Sequence, residues 1–236
     1  MALAPELQTL ADNPRVTIRR AGEPRRPARS VVYWMQRAQR ALDNPALDTA
    51  IAVANALGLP VVVYFQVIAN YPNANLRHYH FMQQGLRDVA DDLAARHVGF
   101  VLRRAPEASL EAFLDEVDAA MVIGDENVCR EPERWRQVLA KRLRIPFWTV
   151  DADVVVPSSL FNRSFVLLHH FRPKLQAQYP VWLKPLDPIT PSHPWAPWKH
   201  FASYSLDEDI TAGFDKLDRS IGRKERLDRC LQDCQT

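Results

Sequence analysis

Three short clusters of polar residues carry the chemistry this sequence could do: Gln36, Arg37 and Asp43, then Asp125, Glu126 and Asn127, then Asp151 with Asp153. Each follows an apolar run of strand length. Between them they offer amide and guanidinium donors and carboxylate acceptors. Asn44 followed by Pro45 adds a capped helix start, whose positive dipole end faces the same rim. Gathered round one crevice, these groups suit a planar heterocycle with polar edges, and no covalent catalysis follows from them. Polar residues after strands also serve simply to turn the chain, and both readings stand.

The elements that must position these residues follow from the periodicity. Apolar, β-branched runs at 31–35, 60–66, 100–103, 120–124 and 146–150 have the length of buried parallel strands. Helical spacing fills the intervals at 47–57, closed by Gly58, then 75–96, 109–117 and 132–143. In the second of these helices Tyr79, Met82, Leu86, Val89 and Leu93 form one stripe that faces the core as scaffold. The order predicts an α/β fold with a doubly wound, Rossmann-like, five-stranded parallel sheet, and a ligand crevice beyond the carboxyl ends of the strands.

Residues 1–30 hold six arginines among Pro14, Pro24 and Pro27, and read as a basic, solvated arm rather than a helix. Residues 31–180 are the α/β domain. In 181–236 prolines recur between Pro185 and Pro197, interleaved with Trp182, Trp195 and Trp198. Free linkers rarely carry such aromatics, so this stretch reads as an apolar strap that either covers the domain or awaits a partner. A short charged helix is expected over 221–234.

Several function classes are disfavoured. With seven glycines the chain has no GxGxxG after its first strand and no GxxxxGK[ST] run, so neither a dinucleotide turn nor a P-loop is expected. The HxGH and SGGxDS signatures of adenylating enzymes are missing too. His78 and His80 diverge on one helix, and His169-His170, Cys230 and Cys234 lack further ligands at metal spacing. A net charge of +2 does not suggest nucleic-acid binding through bulk electrostatics. Three cysteines without a disulfide-framework spacing, no signal-like start and no long apolar run predict a cytoplasmic protein that does not enter membranes.

Four ordered stretches carry a resemblance. Met35-Gln36-Arg37-Ala38-Gln39-Arg40-Ala41-Leu42-Asp43-Asn44-Pro45-Ala46-Leu47 resembles the MxRxQRxxDNxAL junction that opens the N-terminal domain of DNA photolyases, above all the class II cyclobutane pyrimidine dimer photolyases. Asn75-Leu76-Arg77-His78-Tyr79-His80-Phe81-Met82-Gln83-Gln84-Gly85-Leu86 resembles a helix of that domain. Residues 145–157 are similar to its PFxxVDxxxxVP element, and Phe171-Arg172-Pro173-Lys174-Leu175 to the class II TxRPK segment. Ala38 stands where the family usually has Asp, and Pro45 where it has Trp.

The resemblance implies an antenna domain that binds a deazaflavin or folate and passes excitation to reduced FAD. The flavin sits in a separate helical domain, which is expected to be absent from this sequence, and it splits pyrimidine dimers in DNA. Met35, Gln36, Arg37, Gln39, Arg40, Asp43 and Asn44 are then the first candidates to line the pigment site, with Asp125, Glu126, Asn127 and Asp151. The domain would touch DNA only indirectly, and its expected partner is a separately encoded FAD domain or a second copy of itself; the alternatives are an interaction module that docks on a separate helical partner and a degenerate, truncated photolyase that holds no cofactor.

Overall fold

The apolar runs become strands because their β-branched side chains can be covered on both faces. A computed structural model describes residues 3–69, 71, 74–161 and 164–214. In chain order the elements are α1 (Pro5–Ala11), β1 (Val16–Arg20), β2 (Ser30–Met35), α2 (Pro45–Leu57), β3 (Val61–Ile68), α3 (Leu76–Ala95), β4 (Gly99–Ala105), α4 (Leu110–Glu116), β5 (Ala119–Asp125), α5 (Arg130–Arg142), β6 (Phe147–Val150), a short 3-10 turn (Ser158–Leu160), α6 (Leu168–Gln176) and α7 (Tyr179–Trp182). The expected terminal helix at 221–234, with Cys230 and Cys234, lies outside the described residues.

The sheet order is β1-β6-β5-β2-β3-β4. Strands β2 to β6 pair in parallel, and the order reverses between β2 and β5. Alternate side chains of β2 serve opposite faces: Val31, Tyr33 and Met35 pack with α1, α2 and α3, while Val32 and Trp34 pack with α4 and α5. All six residues of β2 are buried, as a central parallel strand requires. Asn44 caps α2 by accepting from the Ala46 and Leu47 N–H groups, Pro45 opens it, and Gly58 closes it at φ +68°, where a β-carbon would be strained.

Two expectations are corrected here. The sheet has six strands, because β1 adds antiparallel to β6, with Val16 opposite Val150 and Ile18 opposite Trp148. The N-terminal segment is therefore not a solvated arm: Pro5 sits in the first turn of α1, which buries Leu7 and Ala11. Pro14 lies between α1 and β1, and Pro24 and Pro27 lie beyond β1, so they interrupt neither. The arginines act as donors to the domain. The Arg15 guanidinium reaches the carbonyls of Asp151, Val154 and Val155 at 2.9, 2.7 and 2.5 Å, and Arg19 pairs with Glu126 and Glu133.

The Trp- and Pro-rich strap covers the domain itself. It runs along the free edge of β4, where Trp195 N–H donates to the His97 carbonyl at 2.9 Å, Leu102 N–H to Ser203 Oγ at 3.0 Å and Tyr204 N–H to the Leu102 carbonyl at 2.9 Å. Trp198 meets Trp195 and Phe201 edge to face, and Trp195 and Phe201 are tilted against each other, with all three centroids 5.2–5.6 Å apart. Gly99 leaves room for them, since a β-carbon there would lie 2.6 Å from the Trp195 ring. Farther on, Ile210 and Phe214 are buried against α3. The stretch between the sheet and the strap is different: Val166, Leu168, Val181 and Leu183 are 61–95% exposed.

Tyr64, in the middle of β3, stacks on Phe113 at 4.5 Å but its hydroxyl is buried without a partner. Burial pushes its phenol up to about 12. A tyrosine in the unfolded chain ionises near 10, so between about pH 10 and 12 the unfolded state binds fewer protons and stability falls as pH rises. Tyr64→Phe is expected to raise stability by about 0.5–2 kcal/mol at neutral pH, because it deletes an unpaired buried hydroxyl. It should also reduce the alkaline fall. Urea unfolding of the two proteins at about pH 7 and about pH 11 checks both arms.

Candidate functional site

Asp125 ends β5 and is 1% exposed. A carboxylate so placed must be hydrogen-bonded, and the turn after β2 supplies the donors. Its Oδ1 accepts the Tyr33 hydroxyl at 2.6 Å, and its Oδ2 accepts the N–H groups of Gln36, Arg37 and Ala38 at 2.9, 2.6 and 2.9 Å. Burial, and then the adjoining carboxylate, raise the Tyr33 phenol well above its ordinary range. Fully buried Asn44 closes the same turn, its Nδ2 reaching the Ala38 and Arg40 carbonyls at 3.0 and 2.8 Å and the Tyr33 hydroxyl at 3.2 Å. Arg40 binds the carbonyls of Asp43 and Ala152 at 2.9 and 2.6 Å, and Asp43 makes the bend at φ +50°.

In front of this turn lies a cleft of about 640 Å³ at the carboxyl edge of the sheet. It spans the ends of β2 and β3, with α3 on one side and α5 on the other. Met35, Gln36, Arg37, Gln39 and Asn127 all line it. Arg37 is held by Asp153 through its Nε and reaches Asn127 Oδ1 at 3.5 Å. Burial outweighs the pull of that guanidinium and raises the Asp153 carboxyl. Gln36 Oε1 is buried with no partner.

The other sequence candidates stand elsewhere. Arg40, Asp43, Asn44 and Asp125 build the turn behind the cleft wall. Glu126 turns toward β1 and α5, where it meets Arg19, Thr149 and the fully buried Arg136. Asp151 holds the 3-10 turn by accepting from the N–H and hydroxyl of Ser158 at 3.0 and 2.6 Å.

Sequence reasoning missed the apolar half of the cleft. Phe65, Val67 and Ile68 come from β3, which runs two residues past the expected strand. Tyr79 and Met82, read as scaffold, serve the core and the cleft wall together. Tyr71 and Trp135 face each other across the cleft wall, edge to face at 5.9 Å. One signal was available: Trp135 stands alone among the charged residues of α5. The lining is thus an apolar slot with a polar rim, the form typical of small-molecule sites.

Asp125→Asn keeps the shape of the side chain but points an amide N–H₂ at buried donors. It is expected to cost about 2–4 kcal/mol of stability. Tyr33→Phe, which leaves Asp125 its three backbone donors, should cost only about 1 kcal/mol. Denaturant unfolding of both variants, with amide exchange at Gln36 to Ala38, is the check.

Comparison with known proteins agrees with this fold. The family model described as DNA photolyase matches residues 31–191. A deoxyribodipyrimidine photo-lyase of Methanothermobacter thermautotrophicus is 35% identical over 158 residues, which cover 66% of this chain and 35% of that protein. The Arabidopsis thaliana deoxyribodipyrimidine photo-lyase is 34% identical over 130 residues, covering 54% of this chain and 26% of its own. Among solved structures, a bacterial class III photolyase from Agrobacterium tumefaciens superposes with a TM-score of 0.62 at 17% identity, over 76% of this chain and 37% of that one, a likeness of fold. The chain spans about a third of the length of these relatives or less. With a match that covers most of its residues, the chain belongs to the DNA photolyase family.

Proposed function

We propose that this domain binds a flat, light-absorbing cofactor in the cleft and serves as the antenna of a light-driven deoxyribodipyrimidine repair system of class II type. The observation that carries this reading is the cleft itself: about 640 Å³ of largely apolar slot at the carboxyl edge of the sheet, with the buried Oε1 of Gln36 lacking a partner in its wall. A volume of that order suits one multi-ring ligand. An orphaned amide in the wall is costly unless a ligand edge satisfies it.

A deazaflavin or a folate fits this chemistry. When bound, it would absorb blue or near-ultraviolet light and pass the excitation to reduced FAD. The domain's own residues would hold the ring and exclude water. Trp34, Phe65 and Trp135 offer apolar faces, while Gln36, Arg37 and Asn127 offer polar edges. Electron transfer to a pyrimidine dimer would fall to a helical FAD domain on another stretch of chain or a separate subunit, which would also carry the DNA contact. The class II assignment rests on the quoted motifs, and a cytoplasmic setting on the cysteine usage. No helix among the described residues is long and apolar enough to cross a membrane.

A second reading has its own observation. Val166, Leu168, Val181 and Leu183 are exposed, and residues 154–186 contain no Asp or Glu. These side chains would dock a separately encoded FAD-domain partner or a second copy, making the chain an interaction module. Contiguous exposed apolar surface marks interaction sites.

Titration with 5-deazaflavin and with a methenyl folate is expected to give saturable absorbance above the aromatic band and to quench tryptophan fluorescence. Met82→Trp, which fills the cleft, should weaken binding by about tenfold or more, or 1.4 kcal/mol. A featureless spectrum with both ligands overturns the antenna reading. For the second reading, sedimentation velocity should show concentration-dependent dimers that Val181→Asp with Leu183→Asp returns to monomers. Monomers at every concentration remove the homodimer.

A further inference from the structure

The far end of the strap reaches the back of the cleft. Phe214 is 6% exposed, and its ring meets that of Tyr79 edge-on, with centroids 5.6 Å apart at 75°. The approach is fixed on both sides. Gln83 Nε2 donates to the Leu206 and Glu208 carbonyls at 2.7 and 2.5 Å, and Arg87 donates twice to Leu206. The Arg104 guanidinium lies over the Phe214 and Tyr204 rings at 4.8 and 5.0 Å.

Tyr79 carries the contact onward. Its hydroxyl donates to the Ile68 carbonyl at 2.6 Å, with the Ala69 carbonyl also in reach at 3.2 Å, and accepts the Tyr71 N–H at 3.3 Å. Ile68 and Tyr71 both line the cleft, and Tyr71 meets Trp135 across its wall. Physical contact is therefore continuous from the last described residue of the strap to the aromatic pair of the cleft.

We infer that Phe214 is a positioning residue for the cleft: it backs the Tyr79 ring, and Tyr79 holds Ile68 and Tyr71 where a flat ligand meets them. This rests on the ligand-binding reading above. A phenol ring without its edge-on neighbour gains room to shift, and a hydroxyl that shifts with it cannot keep all its backbone partners. By linkage, a ligand that presses on Tyr71 also tightens the docking of the strap. The strap thereby acts on the site without touching the ligand.

The full chain carrying Phe214→Ala is expected to bind 5-deazaflavin about three- to tenfold more weakly, the scale of coupling through packed neighbours. Exchange of the Tyr71 amide should quicken, while amides of Val32 and Ile123 in the central strands stay protected. Phe214→Tyr, which keeps the ring, should restore both readouts. Tyr79→Phe, which keeps the packing and deletes only the hydroxyl, should quicken Tyr71 exchange and supplies the test if Phe214→Ala does not fold. Unchanged affinity and unchanged Tyr71 exchange in folded Phe214→Ala overturn the inference, as does unchanged exchange in Tyr79→Phe. If the wild-type chain takes up no 5-deazaflavin the antenna reading fails, and the exchange arm still decides the role of Phe214.

Discussion

The buried carboxylate of Asp125 is the constraint on which the rest of the site depends. A charge at the end of a central strand, shut off from water, must be met by donors, and the chain meets it with one phenol and three successive backbone N–H groups. That demand fixes the path of residues 36–38. The fixed path in turn brings the Ala38 and Arg40 carbonyls to Asn44, so the side chain that caps α2 also seals the turn. Gln36 and Arg37 face the cleft because their backbones are already committed behind them. The polar rim of the cleft is thus a by-product of satisfying one internal charge.

The arginines follow a related logic on the far side of the sheet. Arg15, Arg19 and the buried Arg136 each end on carbonyls or carboxylates, and Glu126 is drawn into that network rather than into the cleft. Their planar, many-donor heads suit them to tying β1 to β6 and α5. Much of the positive charge of the N-terminal segment is thus spent on partners within the fold.

Much of the fold was legible. Five strands and four helices follow from periodicity, and the boundaries of α2 from Asn44, Pro45 and Gly58. β1 was not legible, because Val16 and Ile18 alternate with nothing distinctive and gain their place only by pairing with β6. The site was half legible. Polar residues at strand ends announce themselves, so Gln36, Arg37 and Asn127 were found at the cleft. The same signal cannot distinguish a rim residue from one that braces the turn, which is why Asp125, Asn44 and Asp151 were grouped with them. Phe65, Val67 and Tyr79 were hidden because apolar residues on strands and helices look alike whether they face core or cleft.

The strap along β4 has a consequence for solubility. An unpaired outer strand is a template on which other chains can grow, and proteins blunt such strands with covers, charges or prolines. Here Ser203 and Tyr204 take the outward N–H and carbonyl of Leu102, the Trp195 ring lies against Gly99, and Pro197 stands between the two contacts. These covering residues lie beyond position 191, where the family match stops. A segment outside the shared family pattern thus keeps the sheet from recruiting its neighbours, and a cut at the edge of that pattern would strip this guard while leaving every matched residue in place.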